Sequence, residues 1–308
     1  MSLYHRARKE ERVFLSLTGL LFSEFDALLP FFQAAWKEAI ERAYQQDSTR
    51  QRKPGGGKEP TLNTPEKRLF FILYYLKIYP LQEVMAFHFE MSQGQTNDWI
   101  HRLTRILQAA LDQQGSLPER NPEKVKETAA DTLEREFVID GTERERQRPQ
   151  DPQAQSDYYS GKKKKHTMKN NLIVGVKDRL VKYLGPTHAG KKHDKKMCDE
   201  EQPTYPEGSR LLKDTGFQGY EPQGVITYQP KKKPKGKELS EDDKASNSLI
   251  SKVRIMVEHV IAGVKRLRIV KEVFRNTKEK FDDLVMEIAC GLHNFRTVSR
   301  SKLNPYSR

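Results

Sequence analysis

At 308 residues the chain is too long for one small core, which points to two domains or one large domain with an appendage. Its 55 Lys and Arg against 42 Asp and Glu give a net charge of +13 and an isoelectric point near 9.5, a balance suited to a polyanionic partner, either nucleic acid or an acidic membrane surface. The longest apolar run, Leu69 to Leu76, falls far short of the roughly 20 residues that span a bilayer. The N-terminus has no secretory pattern, and Cys198 and Cys290 are too few for a disulfide framework or a four-thiolate zinc site, so a reducing, cytoplasmic setting is expected.

In chain order, residues 1–46 read as a helical segment. Ser23 with Asp26 resembles a helix start, and Phe25, Leu28, Leu29, Phe32, Trp36 and Ile40 fall on one face. Residues 47–61 read as a flexible basic linker. Its Gly55-Gly56-Gly57-Lys58 lacks the spacing and the Ser or Thr of a phosphate-cradling loop. Over 62–114, Thr64-Pro65-Glu66 opens a helix carrying Leu69, Ile72, Leu73 and Leu76. A short helix follows Pro80, then a break at Glu90 to Gly94, then a helix over 95–113 with Trp99, Leu103, Ile106, Leu107 and Ala110 inward. This order is that of a helix-turn-helix, whose last helix would present Gln93, Gln95, Thr96, Asn97, His101 and Arg102 to base edges. A small helical bundle with polar surface positions fits the same pattern, and the basic charge balance favours DNA.

Residues 115–131 read as a polar connector with Pro118 and Pro122, leaving 132–308 as the third and largest region. Phe137-Val138-Ile139 reads as a short buried strand that ends at Asp140, with Gly141 releasing the backbone into a turn. A charged stretch over 143–156 leads to Tyr158-Tyr159-Ser160-Gly161. Lys162, Lys163, Lys164 and Lys165 follow, either a solvated turn or a phosphate-backbone contact. Asn171 to Val176 and Leu180 to Leu184 read as a hairpin around Lys177-Asp178-Arg179. The stretch from Gly190 to Glu200 reads as a short charged helix. His188, His193 and Cys198 lack the face and the fourth ligand of a zinc site. Ser209 to Lys213 is a strand closed by Asp214, with Gly216 two positions on, and Val225 to Tyr228 is the last strand before a basic loop over 230–237. The following helix carries Leu249, Val253, Val257, Ile261 and Val264, with Glu258 beside that stripe between Arg254 and Lys265. Taken alone, such charges are surface ion pairs.

Together these give an acid after a first strand, an acid after a fourth and an acid on a helix. Three carboxylates at one sheet end can hold two divalent cations roughly 3.5 to 4 Å apart, and oxygen-only ligands select magnesium or manganese. Four motifs carry a resemblance: Ile139-Asp140-Gly141-Thr142; Tyr158 to Lys162 running on through His166-Thr167-Met168-Lys169; Leu212 to Gly219; and Arg254, three residues, Glu258, six residues, Lys265. With these the sequence resembles the DDE transposases of bacterial insertion sequences. It looks closest to the insertion-sequence-five type, whose catalytic domain is related to that of the Harbinger transposases.

The resemblance implies an α/β ribonuclease H-like catalytic domain, a mixed five-stranded sheet with helices, preceded by an all-α helix-turn-helix domain. It also implies Asp140, Asp214 and Glu258 as ligands of two Mg2+ or Mn2+ ions, and Arg254 and Lys265 near the DNA backbone. The implied partners are double-stranded DNA, as terminal inverted repeats and target, and further copies of the chain in a homodimer or higher oligomer, with no membrane. The signature's tyrosine, two residues before the arginine, is Ser251 here. The stretch around His193 and Asp194 is similar to a recurrent family feature of unassigned role. Asp194 lies between two lysine pairs and is expected to dock a helix or the DNA. The function implied is terminal-repeat binding, metal-dependent cleavage and strand transfer. The alternatives are a transposase-derived DNA-binding protein without catalysis and a plain nuclease.

Overall fold

The computed structural model describes residues 2–46, 59–130, 134–231 and 238–303. Most of the expected linker (47–58) and of the basic loop (232–237), and the Leu249 side chain, lie outside the described residues. The chain divides into two compact units. The first is Met1–Leu117, Arg266–Ile269 and Leu284–Arg308, and the second is Pro118–Lys265 and Val270–Asp283. Among the described residues, no single helix is long and apolar enough to cross a membrane.

The first unit is helical: α1 (Leu3–Ala7), α2 (Glu11–Thr18), α3 (Phe22–Gln46), α4 (Pro65–Ile78), α5 (Gln82–His88) and α6 (Gln93–Gln113). Leu69 to Leu76 are all buried, so α4 is the central helix, solvent-shielded on every side. Its start is the one the sequence encodes, with the Thr64 hydroxyl accepting from the Lys67 amide at 3.3 Å and Pro65 in the first turn. α6 begins two residues earlier than expected because Ser92 caps it. The Ser92 hydroxyl accepts from the Gln95 amide at 3.2 Å and the Gln95 side chain accepts from the Ser92 amide at 3.0 Å.

The second unit begins with α7 (Val125–Ala130) and then carries a mixed sheet: β1 (Glu136–Glu145), β2 (Tyr159–Ser160) after α8 (Pro152–Tyr158), β3 (Lys165–Gly175), β4 (Val181–Leu184), β5 (His188–Ala189), β6 (Arg210–Lys213) and β7 (Ile226–Tyr228), with α9 (Asp194–Glu201) between β5 and β6. The main order is β2-β3-β1-β6-β7, with β4 and β5 also paired to β3, so the sheet has seven strands where five were expected. β1 is antiparallel to β3 and parallel to β6, and β6 is parallel to β7. Phe137, Ile139, Ile173, Tyr183, Leu211 and Phe217 form the core on one face. α10 (Glu241–Val264) buries Ile250, Val257, Val260 and Val264; of the expected stripe Val257 and Val264 are buried, while Val253 and Ile261 are half-buried. The last helix, α11 (Phe281–Leu303), was not anticipated, and from Leu284 onward it belongs to the first unit.

Candidate active site

Asp140 does not end a strand. β1 continues through Gly141, which pairs with Asn171 of β3, as far as Glu145 opposite Thr167. The ladder to β6 does stop there, since Ile139 and Lys213 are its last partners. Asp140 and Asp214 are therefore the next residues on two neighbouring parallel strands, spaced about 4.8 Å apart by the sheet. Alternation sends both to the same face, opposite the Ile139 and Leu211 core. The sheet register alone brings these two acids together.

The face they share is the one α10 serves. Arg254 donates from Nη2 to Asp214 Oδ2 at 3.2 Å, and Lys265, just past the end of α10, donates from Nζ to the Glu143 carbonyl at 3.0 Å. Burial pushes the Asp140 carboxyl up to about 6. The Gly141 amide, which donates to Asp140 Oδ1 at 2.8 Å, and the Arg254 charge oppose that rise, while Asp214 and Asp194 add to it. Burial, with the charges of Arg144 and Lys163, holds the Lys265 ammonium below the usual lysine value. Glu258 lies on α10 one turn after Arg254 and is exposed. Among the described residues no three acidic, histidine or cysteine side chains converge closely enough to enclose an ion, so Glu258 is not gathered with Asp140 and Asp214.

Asp194 meets the strand from the opposite face. A Cβ at Gly141 would lie 3.4 Å from Asp194 Oδ1, and one at Gly216 would lie 3.1 Å from Asp194 Oδ2. Gly141 stays in the extended strand and does not turn the chain, whereas Gly216 lies in the 3-10 turn Thr215–Phe217, where a side chain would crowd this carboxylate. Lys169 Nζ donates to Asp194 Oδ1 at 3.3 Å. His193 stands at the N-terminal cap of α9, its side chain making no cap bond.

Of the expected DNA contacts on α6, Gln93 donates to the Gln82 side chain, and Asn97 Oδ1 accepts from Gln82 Nε2 at 3.3 Å. Gln95 is taken up in the helix cap. Thr96 is not available to a base edge: it is fully buried with its hydroxyl on the Ser92 carbonyl at 3.0 Å, because it shares the inward face of α6 with Ile100 and Leu103. His101 is half-buried, and the Arg102 guanidinium lies 4.3 Å from the centre of the Trp36 ring. Lys162, Lys163 and Lys164 are exposed in the turn before β3, while Lys165 pairs with Glu145 at 2.8 Å.

An N-terminal helix-turn-helix followed by a mixed sheet that sets two aspartates side by side defines a class of DNA-processing enzyme. Residues 139–294 match the DDE superfamily endonuclease family and residues 60–113 match the helix-turn-helix of DDE superfamily endonucleases; the chain belongs to that family. It is 27% identical over 255 residues to the probable transposase for insertion sequence element IS702 of Microchaete diplosiphon, a likeness covering 83% of this chain and 88% of that relative. No solved structure matches the chain.

Proposed function

We propose that this chain is a transposase that binds terminal inverted repeats through α5 and α6 and cuts and joins DNA strands at the corner of β1 and β6. The observation that carries this is the pair Asp140 and Asp214, placed side by side by the Ile139 and Lys213 register with Arg254 upon them. The strand order β4-β3-β1-β6-β7, parallel only from β1 onward, supports a ribonuclease H-like reading. The donors are hard oxygens and the Asp140 carboxyl is buried and short of compensating charge, which fits Mg2+ or Mn2+. Asp140, Asp214 and Glu258 would hold two such ions. Glu258 shares a helical face with Arg254, which already reaches Asp214. The ions supply charge compensation at the attacking and leaving oxygens of an in-line displacement. Arg254 and Lys265 would bind the backbone phosphates flanking the cut, and the lysine turn at 162–165 extends that basic track. The active assembly would be a homodimer or higher oligomer on paired ends.

The test uses the purified full chain with a repeat-end duplex. Cleavage should require Mg2+ or Mn2+, and Glu258→Ala should remove it while leaving repeat binding intact. Cutting in excess EDTA would refute the metal-dependent reading. A catalytically silent DNA-binding protein is the second reading, favoured by the separation of Glu258 from the two aspartates. A wild-type chain that binds repeats but neither cuts nor joins them with either metal would establish it.

A further inference from the structure

An open cavity of about 650 Å³ lies in the second unit, lined by Arg148, Gln155, Tyr159, Gly161, His166 and Lys191. Its size is that of a small-ligand site. Two features separate it from the rest of the basic surface. The first concerns charge: Arg148 Nε and Nη2 donate to Gln155 Oε1 at 3.0 and 2.7 Å, and Lys191 Nζ donates to the Ser156 hydroxyl at 3.5 Å. Both cations are oriented by neutral groups, whereas the nearby Lys165 and Lys192 face Glu145 and Glu200. Among the described residues lining the cavity, none is acidic.

The second concerns the aromatic ring. Tyr158 is covered by the Arg146 guanidinium at 3.9 Å, but Tyr159 is 44% exposed, edge to face with His166 at 5.7 Å between ring centres. Tyr159 and His166 are cross-strand partners of β2 and β3. The opposite wall is fixed where the Lys191 amide donates to the Asp157 carbonyl at 3.1 Å. It approaches so closely that a Cβ on Gly190 would fall 2.0 Å from the Thr167 hydroxyl. The walls are backbone-held before any ligand arrives.

We propose that this cavity binds one unpaired nucleotide of the DNA, its base against Tyr159 and His166 and its phosphate between Arg148 and Lys191. A base paired within a duplex hides its π-face, so only an unstacked base can use Tyr159. The place is set by register. Leu172 pairs with Asp140, and His166 is six residues earlier on the same strand, which puts the cavity ~20 Å from the acid corner at the rise of an extended strand. That is about six nucleotides of one B-form strand. The choice of ligand rests on the DNA-processing reading above, but the test reads binding only.

The full chain is titrated in EDTA with two duplexes of one sequence, one fully matched and one carrying a single extrahelical 2-aminopurine. The wild type should bind the bulged duplex about 10-fold more tightly, with a change in 2-aminopurine emission. Tyr159→Ala should abolish that preference and Tyr159→Phe should keep it. Equal binding of the two duplexes by the wild type, or a preference that survives Tyr159→Ala, would each overturn the proposal. Failure to bind either duplex would overturn the DNA-processing reading as well.

Discussion

The acid corner of the second unit and the amide-rich start of α6 in the first are built on opposite principles. At the corner, like charges are held together by backbone register, and the cost falls on the carboxyl that is buried, Asp140. At α6 the polar groups are neutral and satisfy one another, Gln82 linking Gln93 and Asn97. An amide cluster must break its own hydrogen bonds before it can read a base.

The largest effects should come from the corner. Asp140→Asn and Asp214→Asn should each lower single-turnover cleavage by on the order of 10^3-fold or more at every manganese concentration. Asp194→Asn, removing a carboxylate from the far face of β1, should cost only about 10- to 100-fold. An inactive Asp194→Asn beside an active Asp214→Asn would exchange their roles and undo the corner as described.

Smaller effects belong to α6. Gln93→Ala should relax discrimination at one base pair by about 1–3 kcal/mol in competition binding, with little change in salt dependence. A uniform loss over all sequences would show that Gln93 serves only to brace Gln82. Asp140 also offers a stability test. Its folded-state value, about 6, lies above the ordinary 3.8, so its contribution to stability is present at low pH and is lost as pH rises through about 6. In EDTA at pH 8, Asp140→Asn should therefore stabilise the second unit by on the order of 1–2 kcal/mol after solvent screening, seen as a higher melting temperature. An unchanged or lower melting temperature would mean the carboxyl is better compensated than its burial implies. Least of all, Ser92→Ala should lower the stability of the first unit by ~1 kcal/mol through loss of the cap, measured by urea unfolding.

Much of this was legible in the sequence because local rules decide it. Thr64-Pro65 marks a helix start by its own chemistry, and the hydrophobic runs around Ile139, Leu172 and Leu211 mark strands. Gly141 after an acid signals a turn locally, but the pairing of Gly141 with Asn171, thirty positions away, keeps it extended within β1. Asp151-Pro152 is an ordinary cap and first-turn pair that announces α8, and Val285, Ile288, Ala289, Leu292 and Phe295 announce α11. The reach of Arg254 to Asp214 was not available from sequence, since it depends on how α10 rotates about its own axis.

Trp36 and Trp99 are the chain's only tryptophans, and their rings stack 5.9 Å apart at 22° between planes, with Arg68 and Arg102 at 4.2 and 4.3 Å from the Trp36 centre. Both belong to the first unit. All indole emission therefore comes from one half of the molecule, and the coupled pair should add an exciton signature to the near-ultraviolet circular dichroism. Because Arg102 lies both on that stack and among the candidate base readers, a duplex that draws it away should alter the indole spectrum. Recognition of DNA by the helical unit could then be followed by its indole emission without any label, since the second unit contains no tryptophan.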